Sequence, residues 1–197
     1  MSGALVHEAI RDNNREQLIL LLDQRPSDAN YADINDTTPL ILAAQLDRTT
    51  LVKILLSRGA DPTAQEKAEV GGMSALHYSA INNNREVALG VLRDGGQVNA
   101  QDQLGRTPLH LACRHGNVDI VSILLSKGAD PDRRDCSGFT PSYWAALEGH
   151  AACLEHLPPP QYYGSKQIAD FQAVTMDALD LPAKPPQKSG GKKGRKK

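Results

Sequence analysis

Asp102-Gln103-Leu104-Gly105-Arg106-Thr107-Pro108-Leu109-His110-Leu111-Ala112-Cys113-Arg114-His115-Gly116-Asn117-Val118-Asp119-Ile120-Val121-Ser122-Ile123-Leu124-Leu125-Ser126-Lys127-Gly128-Ala129-Asp130 is the stretch that decides the fold. Thr107 has a side chain suited to capping a helix, and Pro108 follows at the first turn, where no backbone donor is needed. Ala112 is small enough for a neighbouring element to pack closely. Gly116-Asn117 breaks the chain before a second helix whose Ile120, Val121, Leu124 and Leu125 form an apolar face. Gly128 then supplies a left-handed helix end. The stretch therefore reads as two antiparallel helices followed by a loop.

The opening phrase recurs along the chain. Thr38-Pro39-Leu40-Ile41-Leu42-Ala43-Ala44, Ser74-Ala75-Leu76-His77-Tyr78-Ser79-Ala80 and Thr140-Pro141-Ser142-Tyr143-Trp144-Ala145-Ala146 repeat it. The second positions, Pro39, Ala75, Pro108 and Pro141, are spaced by 36, 33 and 33 residues. A degenerate copy, Val6-His7-Glu8-Ala9-Ile10, precedes them. A fixed period of this length is the signature of a solenoid, in which one unit cannot bury its apolar faces alone.

The phrase and its period resemble the ankyrin-repeat family over about residues 3–157. The resemblance implies an all-α solenoid of five repeats, about 3–35, 36–69, 70–101, 102–134 and 135–157, each a helix-turn-helix with a hairpin-like loop, together forming a domain over 1–157. Repeat 1 has Arg25-Pro26-Ser27 where Gly-Ala-Asp is usual, and its polar Arg11-Asp12-Asn13-Asn14-Arg15 suits an N-terminal cap. The connection Gln65-Glu66-Lys67-Ala68-Glu69-Val70-Gly71-Gly72-Met73 carries three extra residues and lengthens one finger. In repeat 5 the second helix starts near Ala151, and Pro158-Pro159-Pro160 is expected to stop it.

Residues 158–181 read as a Pro-rich turn and an amphipathic helix from about 165 to 180, with Ile168, Phe171, Val174 or Thr175, and Ala178 on one face. This helix either caps the open face of repeat 5, with Tyr162 and Tyr163 beside it, or docks in a partner's groove. Residues 182–197 are rich in Pro, Lys and Gly and are expected to be disordered. Seven of the 22 basic side chains fall in 184–197, so residues 1–183 hold 15 basic and 23 acidic side chains, a formal charge of −8. An acidic body argues against phosphate tracking by the repeats; any polyanion contact belongs to the tail.

The sequence shows no basic N-terminal segment leading into an apolar signal region, and no apolar run near the ~20 residues needed to span a bilayer. A soluble cytoplasmic protein, or one that also enters the nucleus, is expected, with no membrane partner. Cys113, Cys136 and Cys153 are spaced by 23 and 17 residues, which fits neither a disulfide framework nor paired zinc ligands, so they read as free thiols. No phosphate loop, nucleophile elbow or H-E-x-x-H occurs, and neither catalysis nor a cofactor or metal is expected. The resemblance implies that His7, His77 and His110, which share one repeat position, hold backbone and Thr groups near the hairpin.

The resemblance also implies that a protein partner, a helix or an extended peptide, binds along the concave surface made by the fingers and first helices. The candidate contacts in that register are Leu46, Met73, Ile81, Leu104, Phe139 and Leu147, apolar positions without a structural duty in the repeat. Arg106, Arg114 and His115 lie among them, and Arg133-Arg134 with Arg106 and Arg114 read either as the charged side chains of a solvated finger or as a basic spot for an acidic segment of the partner. The chain would act as an adaptor, monomeric or within a larger assembly. The alternative is a tail-driven binder in which Lys192, Lys193, Arg195, Lys196 and Lys197 attach to RNA, an acidic cytoskeletal surface or a nuclear import receptor, with the repeats as carrier.

Overall fold

Pro39, Pro108 and Pro141 each open a helix, and the preceding threonine closes its free end. Thr38 Oγ1 accepts from the Ile41 N–H and Thr140 Oγ1 from the Tyr143 N–H, both at 3.4 Å. The computed structural model describes residues 2–157. Within them ten α-helices run in five pairs: α1 (Ser2–Arg11) with α2 (Arg15–Gln24), α3 (Pro39–Gln45) with α4 (Thr49–Ser57), α5 (Ala75–Ile81) with α6 (Arg85–Arg93), α7 (Pro108–Arg114) with α8 (Val118–Ser126), and α9 (Pro141–Leu147) with α10 (Ala151–Leu154). The helix anticipated over 165–180 lies outside the described residues, as does the basic tail.

The turn between the helices of each pair is left-handed at one register position. Asn13, Asp47, Asn83, Gly116 and Gly149 all have φ between 51° and 76°. Glycine, asparagine and aspartate are the residues that tolerate this region, so five different-looking turns obey one rule. Gly59, Gly95 and Gly128 end the second helices with positive φ. Repeat 1, with Arg25-Pro26 at that point, passes instead into a 3-10 turn over Pro26–Asn30. Helix α10 closes at Leu154, ahead of the prolines expected to stop it. The chain tightens there into i−3 bonds from His156 to Cys153 and from Leu157 to Leu154.

Helices of only 7 to 10 residues, apart from the shorter α10, are marginal on their own, so packing must hold them. The first helices pack in a row, α1 on α3 on α5 on α7 on α9, and the second helices in a parallel row. Ala43, Ser79, Ala112 and Ala145 share one register position and are fully buried, which brings the first helices close together. Leu40, Leu51, Leu55, Leu76, Leu109, Ile120 and Leu124 fill the space between the rows and belong to one continuous core. Each contributes roughly 1.5–3 kcal/mol by leaving water.

Polar atoms are satisfied across the repeat boundary. His77 Nδ1 accepts from the Ser74 N–H at 3.1 Å, so Nε2 carries the proton and donates to the Arg106 carbonyl at 3.1 Å. His110 does the same with the Thr107 N–H and the Phe139 carbonyl, each at 3.1 Å. In repeat 1, His7 Nε2 donates to the Thr37 carbonyl at 2.9 Å. The histidines thus take the structural place the family resemblance implied. Asn117 Nδ2 adds a bond of 2.7 Å to the Ala80 carbonyl, and His150 Nε2 one of 3.1 Å to that of Arg114.

Burial withholds protons from these rings. It draws His77 down to about 4 and lowers His110 too, from an ordinary 6.5. The unfolded chain takes up protons below pH 6.5 that the folded rings refuse, so their stabilisation is complete above pH 6.5 and is lost as pH falls toward 4. For His77 the loss is on the order of 3 kcal/mol at full protonation. Urea unfolding from pH 7 to 4.5 is expected to show a falling midpoint, and His77→Gln, which cannot titrate, a shallower decline. Equal slopes for the two proteins would remove this account.

Candidate protein-binding face

The finger between successive pairs is built by one aspartate. Asp33, Asp102 and Asp135 each accept on Oδ1 from the N–H two and four residues on, at 2.8–3.0 Å, closing the turn on itself. Neighbouring fingers then join through backbone bonds. The Lys67, Gln103 and Cys136 N–H groups donate to the carbonyls of Asn35, Gly71 and Leu104 at 3.0, 3.0 and 2.8 Å. Gly105, with φ of +72°, lies so close to the next finger that a Cβ would come 2.9 Å from Cys136 N. The fingers and the first-helix ends form one continuous face.

Of the apolar positions anticipated there, three are open to solvent: Leu46 is 37% exposed, Leu104 54% and Leu147 45%. Three are not free. Met73 and Ile81 are partly buried and packed against the core. Phe139 is half-buried and stacks on Tyr143 with ring centroids 4.1 Å apart. Two exposed positions escaped the register reading: Ile34 at the tip of the first finger, 85% exposed, and Val70 in the lengthened finger, 46%. An isolated large aliphatic residue directly after the turn aspartate is the signal that marks Ile34. Val70 lies in the inserted residues, for which the repeat offers no register.

Of the four arginines anticipated in a basic spot, three make contacts within the molecule. The Arg106 guanidinium turns onto Asp102, 2.7 Å from Oδ2, with 18% of its side chain exposed. Arg114 lies 5.0 Å over the Trp144 ring and 3.7 Å from Glu148. Arg133 donates to Gln101 Oε1 at 2.8 Å. Intramolecular acceptors and an aromatic face thus occupy arginines that were expected to face a partner. His115 remains exposed beside them, and burial together with the Arg114 charge disfavours its protonation. Lys192, Lys193, Arg195, Lys196 and Lys197 lie outside the described residues.

A further residue of this face is Glu66. Its N–H donates to the Met73 carbonyl, as the Asp102 N–H donates to that of Arg106, so Glu66 stands where the other fingers have aspartate. With three inserted residues and one more methylene, its carboxylate leaves the turn and accepts from Thr37 Oγ1 at 3.2 Å and Tyr78 Oη at 3.0 Å. These bonds join neighbouring fingers at the junction where Ile41 replaces the bridging histidine. Desolvation raises the Glu66 carboxyl above its usual range, and the same burial, with the adjacent carboxylate, raises the Tyr78 phenol. A cavity of 260 Å³ opens beside them, lined by Arg11, Asp33, Gln45 and Val70 among others.

Among the described residues no three His, Cys, Asp or Glu side chains gather as a metal site, and no helix is long and apolar enough to cross a membrane. A family model described as ankyrin repeats in three copies matches residues 6–102 and again 76–166. The neurogenic locus notch homolog protein 1 of Danio rerio is 33% identical over 111 residues, 56% of this chain and 4% of that protein. The Homo sapiens protein of the same name is 32% identical over 112 residues, 57% of this chain and 4% of that protein. The human transient receptor potential cation channel subfamily A member 1 is 30% identical over 117 residues, 55% of this chain and 10% of that protein. The chain thus spans between 4% and 10% of the length of these relatives.

Glu66 supplies a test of how this face is held. Its raised carboxyl means that stability is fullest below the ordinary glutamate range and declines as pH rises through the folded value. Glu66→Gln keeps an acceptor for one hydroxyl, turns an N–H donor toward the other, whose oxygen can accept, and removes the desolvated charge, so at pH 8 it is expected to unfold in urea no earlier than the parent. Glu66→Ala takes from the Thr37 and Tyr78 hydroxyls the acceptor they share and is expected to cost about 1–3 kcal/mol. A glutamine variant as damaged as the alanine variant would show that the charge itself is needed.

Proposed function

The chain belongs to the ankyrin-repeat family, and from that premise we propose that it is a non-catalytic binding module that holds a partner protein's helix or extended segment against its fingers and first helices. Proteins built of ankyrin repeats generally serve protein–protein interaction. The finer reading rests on the apolar side chains that the repeat leaves in solvent on one face: Ile34, Val70 and Leu104 on successive fingers, with Leu46 and Leu147 at the ends of first helices. Packing within the solenoid requires none of these five. Apolar groups of this kind, framed by polar finger residues, are the usual chemistry of an interaction surface.

The solenoid also suits the task mechanically. Each finger is tied to the next through backbone bonds, so the apolar tips are held at fixed separations before a partner arrives, which lowers the ordering cost of binding. A short segment that meets several tips at once gains from each. The partner contributes the specificity, because the same scaffold accepts different side chains at the same positions. We place the activity in the cytoplasm or nucleus, a setting that suits Cys113, Cys136 and Cys153 as free thiols. The module acts as an adaptor, alone or as a subunit of an assembly.

A second reading is supported by the separation of charge. Residues 184–197 hold seven basic side chains and no acidic ones, against a formal −8 in the rest of the chain. Lys192, Lys193, Arg195, Lys196 and Lys197 would then attach to a polyanion or an import receptor and raise the rate at which the repeats meet a partner. Such a contact weakens steeply with salt, whereas one made by apolar tips persists.

Affinity purification with quantitative mass spectrometry from the native cell separates these readings. The full chain, the Ile34→Glu/Val70→Glu/Leu104→Glu variant and a chain ending at Leu181 are compared at about 0.15 and 0.5 M salt. The expected result is a protein partner retained by the shortened chain and at high salt, and reduced at least tenfold by the triple variant. A partner indifferent to the triple substitution but lost with the tail would replace the finger face by the tail as the binding element. All three positions are exposed, so the variant is expected to stay within about 0.5 kcal/mol per site of the parent's stability.

A further inference from the structure

In the fingers of Asp102 and Asp135 the aspartate uses both of its oxygens. Oδ1 closes the turn, and Oδ2 takes a donor from a side chain: Arg106 Nε on Asp102 at 2.8 Å, and the Trp144 indole N–H on Asp135 at 2.9 Å. In the first finger both donor positions have changed. Thr37 stands four residues after Asp33, where Arg106 follows Asp102, and gives its hydroxyl to Glu66. Leu42 stands nine residues after Asp33, where Trp144 follows Asp135, and has no side-chain donor. Asp33 Oδ1 still accepts from the Asn35 and Thr37 N–H groups, but Oδ2 has no donor among the described residues.

Asp33 lines the 260 Å³ cavity together with Glu66. Glu66 is 9% exposed, and the two groups that donate to it, the Thr37 and Tyr78 hydroxyls, are uncharged. Burial holds its carboxyl above the ordinary range, and the nearby Asp33 charge adds to the effect. Two cations stand close by without neutralising the pair. Arg11 is exposed on the lining and forms an ion pair with neither acid, and Lys67 gives its ammonium to the Ile34 carbonyl at 2.7 Å. Asp36 and Glu69, exposed on the same two fingers, add negative charge around the opening. The cavity is smaller than the about 300–1,000 Å³ of small-molecule sites, a size that suits one inserted side chain. Leu42 and Val70 give it apolar walls.

We infer that this notch between the first two fingers receives an arginine side chain of the partner segment, an inference that rests on the finger-face reading above and names the chemistry of its partner. The guanidinium fork donates to Asp33 Oδ2, as Arg106 donates to Asp102 Oδ2 within the chain, and to the Glu66 carboxylate. Its methylenes lie along Leu42 and Val70. A lysine ammonium is a point charge that does not match two carboxylates as a planar fork does. A neutral side chain would cover the two acids without compensating them, which is costly. Apolar neighbours of the arginine then meet Ile34 and Val70 on the two fingers, so the tips supply area while the notch fixes register. The formal −8 of the body draws such a segment in.

The test begins by selecting a random peptide library, displayed on phage, against the full chain. The enriched peptides are expected to share one arginine beside an apolar residue. A synthetic consensus peptide is then titrated onto the parent and its variants by calorimetry at about 0.15 M salt. Replacing its arginine by citrulline, which keeps the shape and loses the charge, should weaken binding at least tenfold, and by lysine several-fold. Asp33→Asn and Glu66→Gln, which keep the turn acceptor and the hydroxyl contacts, should each weaken the arginine peptide at least fivefold and the citrulline peptide less than twofold. Asp119→Asn, an exposed acid on α8, should change nothing. An unenriched library, a citrulline peptide as tight as the arginine one, or an equal loss with Asp119→Asn would overturn the notch. A consensus without arginine that is lost in the Ile34→Glu/Val70→Glu/Leu104→Glu variant overturns the notch and leaves the finger face standing; one indifferent to that variant overturns both.

Discussion

The buried imidazole that joins one repeat to the next is the contact on which the rest of the structure depends. In His77 and His110 one ring nitrogen caps the start of the residue's own helix, and the other reaches the carbonyl of a finger 29 residues on. A helix of 7 residues has too few internal bonds to stand alone, and a finger has too few apolar groups to pack. The ring makes each the condition of the other. It also couples stability to its neutral form, since a protonated ring would lose the acceptor that closes the helix start. Where the histidine is missing, the chain finds another link of the same span: at Ile41 it is Glu66, hydrogen-bonded to Thr37 in one finger and to Tyr78 in the next first helix.

The fold was legible because its determinants are local. Thr-Pro at a helix start, a left-handed residue at the turn and glycine at the second helix end each act within a few residues, so the period of 33 could be read from any one copy and checked against the others. The turn position is the strongest instance. Asn13, Asp47 and Asn83 do the work of Gly116 and Gly149, and only the shared conformation shows that the five are equivalent.

The candidate site was legible only in part, because one register position can be packed in one repeat and open in another. Ile81 and Leu147 share a position, yet Ile81 is packed against the core and Leu147 is open. Arg106 looked available in the sequence, but Asp102 lies four residues earlier across a tight turn and captures it. Glu66 was hidden for a different reason. Its partners Thr37 and Tyr78 lie 29 and 12 residues away, and nothing in its neighbourhood announces a buried carboxylate.

A solenoid separates the residues that build it from those that remain free, and that separation argues for a binding role. The boundary contacts use the same positions in every repeat, so variation at the remaining positions costs the fold little. In this chain the free positions diverge along the array. The fingers carry Ile34, Val70 and Leu104 in turn, and the last repeat presents an aromatic group in which Phe139 stacks on Tyr143 and Trp144 Nε1 donates to Asp135 at 2.9 Å. The second-helix row is more uniform, with Ile54 and Ile123 in register, and Gly90 interrupts it at one point. A departure of that kind within a regular array weakens the helix that contains it. Packing accounts for it: a Cβ at Gly90 would stand 3.2 Å from Leu56 Cδ1, so the glycine lets that side chain close against the helix.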